Sequence, residues 1–367
     1  MIKLYDIILQ SADAALELLD AKTGSMPAGH NGSYYDPETP VRNTSHWLIT
    51  FIKAYKISGD KKFLAAAYKN IEYLCSKQAR PMEATFWHRC NPNKDTCNGL
   101  IGQAWTIEAL VTAAVELEMP KLIDLATEVF LLHPFDEKSG MWRCVSVDGT
   151  YLDFDYTFNH QLWFAAAGSL IADRQNESVD FQVSCFMDRL NHNLSIYSSG
   201  LIHHFVSMKL FSFRAKFYRQ LAEPFFNNVK QPIKILHPNK YMYLKEVGYH
   251  SFNLYAFCLL KLQYPEHTFW QTDKFNRVLS FAESEIYWQE VQTSKYGYPY
   301  NPPGLEMAFA LETFGRDRST IPKWLKEQMQ RSYNFEQQMM NLNTEDSVTY
   351  AARLYEATRL SDSTIEL

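Results

Sequence analysis

Apolar residues recur along this chain mostly at helical spacing, and strand-like alternation is confined to short pieces such as residues 85–89 and 140–154. Tyr5 to Leu19 reads as an amphipathic helix. A Gly- and Pro-rich loop, residues 24–43, then leads into the apolar helix SHWLITFIKAYKIS, with Asn43 or Thr44 as the expected N-cap. Gly59 and Asp60 turn the chain into a partner helix, KKFLAAAYKNIEYLCSKQ. The same layout recurs. Residues 81–98 lead into GLIGQAWTIEALVTAAVEL, with KLIDLATEVFLL as partner, and residues 133–157 lead into FNHQLWFAAAGSLIA, with a partner near Val179 to Leu194. An irregular stretch at about 195–244 precedes VGYHSFNLYAFCLLKL, whose partner runs from about Thr268 to Glu290. KYGYPYNPP leads into GLEMAFALETFG, with a partner at Ile321 to Tyr333, and NLNTEDSV leads into TYAARLYEATRL, for which the first helix of the chain remains as partner.

His46, Gln103, His160, His250, Glu306 and Tyr350 take equivalent places in these units, 57, 57, 90, 56 and 44 residues apart. A hairpin repeat that cannot bury its apolar face alone must stack into an array. The entering helices carry Ala, Gly and aromatic residues nearly all round, the pattern of a helix buried on every side. A closed ring of six inner helices wrapped by six outer ones meets that demand. The expectation is therefore an all-α, (α/α)6 toroid spanning 1–367 as one domain, with an irregular insertion at about 195–244 and short β-hairpins in the loops.

The chain then resembles the six-hairpin glycosidase-like toroids, which include glycoside hydrolases, alginate-type polysaccharide lyases and N-acylglucosamine 2-epimerases. The run NHQLWFAAA is similar to the inner helix of toroidal lyases that carries an Asn and a His acting at the uronate. GQAW, residues 102–105, is similar to a helix start in unsaturated glucuronyl hydrolases, although that family's catalytic aspartates have no counterparts at matching places. The resemblance implies a substrate cleft at the end of the ring where the inner helices begin.

Composition narrows the function. Aromatic residues make up 15% of the chain, with 22 Tyr, 24 Phe and 8 Trp, a surplus that suits either sugar-ring docking or a generous core. A net charge of −5 without any dense Lys or Arg cluster argues against a nucleic-acid partner. No apolar run is long enough to span a bilayer. Six scattered cysteines and no recognisable leader point to reduced thiols in a cytoplasm. His88, Cys90, Asp95 and Cys97 match no standard zinc spacing, and no phosphate loop, nucleophile elbow or dinucleotide fingerprint occurs, so neither metal nor cofactor is expected.

The candidate chemistry lies on the rim of helix starts, where unpaired N–H groups and the helix dipole favour a carboxylated sugar. Hydrolysis of a glycosidic bond needs two carboxyl groups. From a pool that also holds Asp36, Glu38 and Asp153, the best placed are Asp155, which as an N-cap would be merely structural, and Glu306. Elimination needs a group that neutralises the uronate, here Asn159 and His160, and a base, here Tyr249 or His250. Arg42, Arg89 or Arg214 would hold the substrate, and His203 and His204 are candidate cleft-wall residues. An epimerase needs two bases across a ring, for which His160 and His250 are the candidates. Substrate contacts are expected from Tyr34, His46, Trp47, Gln103 and Trp105, and from Trp163, Asn253 and Tyr300. The favoured reading is an enzyme that cleaves a glycosidic bond in an oligosaccharide or polysaccharide, uronate-containing ones included, by hydrolysis or β-elimination. An N-acylhexosamine 2-epimerase-type isomerase and a non-catalytic toroid that binds a protein are the alternatives.

Overall fold

The computed structural model describes residues 1–174, 176–207 and 238–367, and the Arg214 expectation lies outside them. Six inner helices surround a common axis: α2 (Val41–Ser58), α4 (Gly99–Glu116), α6 (Phe158–Ala172), α8 (Pro238–Gln263), α11 (Pro303–Thr313) and α13 (Ser347–Ala352), the last running on as a 3-10 helix to Arg359. Each packs on the next, and the 3-10 helix returns to α2, so the ring closes. The outer layer consists of α1 (Leu4–Ala15), α3 (Lys61–Leu74), α5 (Lys121–Leu132), α7 (Glu177–Asn193), α9 (Asp273–Ala282), α10 (Glu285–Thr293) and α12 (Ile321–Ser332). Helix α1 packs on α2 and on the final 3-10 helix. Beside it, strand β1 (Ile2–Lys3) pairs antiparallel with a strand at Thr364–Ile365, joining the two ends of the chain.

All-round burial explains why the inner helices lack a polar face. In α6, for example, only His160, Leu170 and Ala172 escape full burial, and His160 lies at the end where the loops converge. The outer helices keep polar residues toward solvent and are punctuated by side-chain caps: Thr272 accepts from Phe275 N–H and Ser284 from Tyr287 N–H. Those caps split the partner expected as one helix from Thr268 to Glu290 into a 3-10 turn, α9 and α10.

The loops depart from the sequence reading in three places. Helix α2 starts at Val41 after Pro40 rather than at Asn43 or Thr44. Asn43 donates instead to the Pro27 carbonyl, while Thr44 receives the Met26 N–H, so both side chains anchor the preceding loop. Residues 140–154 do form a hairpin, β3 (Met141–Val145) and β4 (Tyr151–Phe154), to which β2 (Phe135–Asp136) adds a third strand. Residues 85–89 contribute only a bridge between Arg89 and Glu38. Within the stretch expected to be irregular, residues 195–207 fold back by bridges between Ile196 and Ile202 and between Thr157 and Phe205, and α8 already begins at Pro238. Among the described residues, no helix is long and apolar enough to cross a membrane.

Candidate active site

The loops at the start of the inner helices surround a cavity of about 210 Å³. That is smaller than the ~300–1,000 Å³ usual for drug-sized ligands, so it suits one sugar ring better than a length of polymer.

One wall is the first turn of α6. Asp155, in the loop after β4, holds His160 Nδ1 at 2.7 Å, and the same carboxylate accepts the N–H groups of Thr157 (3.1 Å) and of Leu100 at the start of α4 (3.2 Å). Burial pushes the Asp155 pKa up, but the positive charge and hydrogen bond of His160, with the two backbone donors, outweigh it and hold the group below its usual value. In a neutral ring this contact places the proton on Nδ1 and the lone pair on Nε2. Gly99 makes the arrangement possible: its φ is +57°, and a Cβ there would stand 2.5 Å from Asp155 Oδ2 and 3.1 Å from His160 Nδ1. Beside His160, Asn159 is buried and lines the cavity, and its Oδ1 has no protein partner among the described residues. An orphaned acceptor of this kind marks a place where a ligand or water completes the bonding.

The adjoining wall comes from α8 and residues 195–207. Lys245 and Tyr249, one helical turn apart, both line the cavity. Lys245 Nζ lies 3.0 Å from His204 Nε2, and His204 is tied through its carbonyl to Phe158 N–H and through its own N–H to Glu246. Burial lowers the Lys245 pKa to about 7 against the attraction of Glu246, with Lys295 and Lys94 reinforcing the fall. His204 is likewise held well below the usual histidine value by burial, then by the charges of Lys245 and His160. Tyr249 shares a 3.0 Å hydroxyl contact with Tyr34, in a cluster with Tyr296 and Tyr300.

The remaining surface is cationic. Arg42 lies over the Trp105 ring at 4.0 Å, bonded to Glu38 (3.1 Å) and Asn31 (3.0 Å). Arg353 is held by Glu306 (2.9 Å), Glu356 and Asn301. Arg89 pairs with Asp95 and Asp36, and Lys94 with the fully buried Asp36 at 3.0 Å. Among the described residues, Arg42, Arg89, Lys94, Lys245 and Arg353 line the cavity and no Asp or Glu does; the carboxylates that pair with Arg42, Arg89, Lys94 and Arg353 stand behind the lining.

Of the residues expected from sequence, Asn159, His160, Tyr249, Tyr34, Arg42, Arg89, Trp105 and Tyr300 meet at this cavity, with Asp155 directly behind His160. Others stand away from it. His250 follows Tyr249 by one position, and that 100° rotation turns it to the outer layer. There it accepts from Ile202 N–H, donates to the Val278 carbonyl and packs on Phe281 and Tyr287, with burial bringing its pKa down to about 4. Glu306 is fully buried under Arg353 and Ser251, where burial raises its pKa against the attraction of Arg353. His46 stacks on Tyr355 at 4.2 Å behind Trp105. Trp163 stacks behind Phe252, Trp47 packs on Phe51, Gln103 bonds the backbone of Phe86 and Cys97, and Asn253 is buried away from the lining. Lys245, Lys94 and Arg353 were not expected. Lys245 had a readable signal, its place four residues before Tyr249 on one helical face.

Solved structures with the same ring are sugar enzymes of differing chemistry. Cellobiose 2-epimerase from Bacillus thermoamylovorans B4167 superposes with a TM-score of 0.64 at 11% identity over 94% of each chain. An unsaturated glucuronyl hydrolase specific for heparin gives 0.59 at 13% identity over 96% of each. The fold is thus the (α/α)6 toroid that these structures share. No family model matches the sequence. The chain is 44% identical to archaeal glycosylation protein Q of Haloferax volcanii, with all of both chains covered, and it belongs to that protein's family.

Proposed function

We propose that this protein is a sugar isomerase or epimerase that moves a proton on an anionic sugar unit, a hexuronate being the simplest. The observation that carries the reading is the make-up of the cavity: five cations, an aspartate-backed histidine and, among the described residues, no carboxylate. Hydrolysis of a glycosidic bond needs two carboxyl groups facing the substrate at about 5–9.5 Å from each other, and the described residues of this lining supply none. Proton abstraction beside a carbonyl needs a base and a way to stabilise the negative charge that develops on the oxygen. His160 Nε2 is the base, Asp155 keeps it in the correct tautomer, and Arg353 with Arg42 holds the sugar's carboxylate. Tyr249 and Tyr34, in hydroxyl contact, supply a donor to the carbonyl oxygen. Burial pushes the Tyr249 pKa well up, so it acts as a neutral donor rather than as a phenolate base.

The glycosylation role in the relative's name supports a sugar destined for a glycan. The six cysteines are all free, which supports a reducing compartment such as the cytoplasm. Incubation with hexuronates, neutral hexoses and uronate-containing oligosaccharides in D2O, read by NMR and mass spectrometry, tests the assignment. The expected result is deuterium at the carbon beside the carbonyl of a free uronate together with a new isomer. Release of a saturated sugar from an oligosaccharide without deuterium would restore hydrolysis, and an unsaturated uronate would select β-elimination.

A further inference from the structure

A second cavity, of about 520 Å³, opens at the other end of the ring, where the inner helices finish. About 16 Å of helix, at ~1.5 Å per residue, separates Arg42 of the candidate active site from Lys53 of this cavity on α2. Between the two, Tyr255 of α8 and Tyr355 of the final 3-10 helix are buried with their rings 6.4 Å apart, so packed core divides the spaces. The walls of the far cavity are apolar: Ile49, Ile52 and Ile57 of α2, Leu262 of α8 and Phe309 of α11. Leu262 is 55% exposed there. Among the described residues, three cations and one carboxylate share this lining. Lys56 pairs with that carboxylate, Glu116, and lies in the last turn of α2, where the helix dipole favours a cation, so the fold alone accounts for it. The other two are Lys53, whose Nζ donates to the neutral Tyr5 hydroxyl at 3.1 Å, and Arg359, bonded at 2.7 Å to the buried Glu108 behind the lining. Lys53, Arg359 and Glu108 together leave at least one positive charge on an otherwise apolar space.

We propose that this far cavity is a second binding site, for an amphipathic anion: a carboxylate or phosphate head at Lys53 and Arg359, with an apolar tail along the isoleucines, Leu262 and Phe309. Its volume falls within the ~300–1,000 Å³ usual for small-ligand sites, unlike the smaller cavity at the opposite end. A ligand of this class matches both features of the lining at once. The head neutralises the surplus charge through charge-assisted hydrogen bonds, and each CH₂ of the tail taken out of water raises affinity about 4-fold. A free sugar fits poorly, because its hydroxyls would lose water against Ile, Leu and Phe side chains that offer no hydrogen bond. The inference is independent of the reaction assigned to the other cavity, since none of the residues that line one space lines the other.

The test is calorimetric titration of the full-length protein with hexanoate, octanoate, decanoate, octyl phosphate and the neutral octanol, each below its micelle-forming concentration. Octanoate should bind at least about 10-fold more tightly than octanol, the effect of one charge-assisted hydrogen bond, and affinity should rise about 4-fold per CH₂ along the carboxylate series. Lys53→Met keeps the apolar stem and removes the charge, so it should weaken octanoate by about 10-fold or more and leave octanol nearly unchanged. His160→Ala, in the other cavity, should leave octanoate binding as in the wild type. Tighter binding of octyl phosphate than of octanoate upholds the site and identifies phosphate as the head it takes. The head-group and chain-length comparisons use the wild-type protein and hold whether or not the Lys53→Met variant folds. Equal binding of octanoate and octanol, no dependence on chain length, no binding at millimolar concentration, or octanoate binding that survives Lys53→Met and is lost in His160→Ala each overturn the proposal.

Discussion

Replacing Asp155 by Asn isolates the contribution of the Asp155–His160 pair. The side chain keeps its size and one acceptor oxygen, so the bonds from Leu100 and Thr157 N–H, which tie α6 to α4, are retained in part. What is lost is the charge-assisted bond to His160 Nδ1 at 2.7 Å. An amide N–H placed there would select the tautomer with the proton on Nε2, the atom needed as base. A hydrogen bond to a charged group contributes about 1.5–3 kcal/mol, which at about 1.4 kcal/mol per tenfold is a loss of about 10- to 150-fold in rate. The loss should fall on kcat rather than KM, because the base acts in the transition state. Initial rates of deuterium incorporation into the sugar, with folding checked by circular dichroism, give the measurement. Asp153→Asn, two residues earlier and exposed, where the side chain bonds only its neighbour's N–H, is the control. A folded Asp155→Asn variant within twofold of wild type would refute the assignment of His160 as an oriented base.

Three further outcomes follow from the geometry. Gly99→Ala should cost about 1–2 kcal/mol of stability from its left-handed backbone alone, and should also lower kcat, because the new Cβ meets Asp155 and His160; thermal denaturation and rates that both match wild type would contradict this. Glu306→Gln should raise KM for an anionic sugar by loosening Arg353 while leaving kcat within about threefold, and a drop in kcat of several orders would instead make Glu306 catalytic. His133 is buried, donates from Nδ1 to the Val129 carbonyl and is brought down to about pKa 4 by burial, so between that value and 6.5 the unfolded chain binds a proton that the folded one does not. Its neutral-state stability is therefore lost as pH falls, and His133→Gln should gain about 3 kcal/mol relative to wild type between pH 6.5 and 4, measured by paired denaturant titrations; a pH-independent difference would contradict the linkage.

The ring was legible because helices buried on every side lose their polar face, a property of sequence alone. The part of the candidate cavity around Asp155, Asn159 and His160 drew notice because these polar residues lead into an apolar, small-residue helix. Treating positions at equal spacing as equivalent failed at His250, since one residue of register is 100° of helix, enough to turn the side chain from the cavity to the outer layer. Arg42 and Arg89 were read from the sequence, but Lys94 and Arg353 were not, because each is paired with a carboxylate remote in sequence. Glu306 and Arg353 are 47 residues apart, Asp36 and Lys94 58 apart, and only the fold brings them together. Glu306 drew notice for the correct reason, burial without an evident partner, but that partner was Arg353 rather than a substrate.

The claim that the cavity reads an anionic sugar is tested most directly by calorimetric titration of a hexuronate against the neutral hexose of the same configuration, at low and high salt. The account predicts binding of the uronate tighter by at least about 10-fold, the effect of one charge-assisted hydrogen bond of about 1.5 kcal/mol, and weaker binding as salt is added. Equal affinity for the two sugars, unchanged by salt, would contradict it.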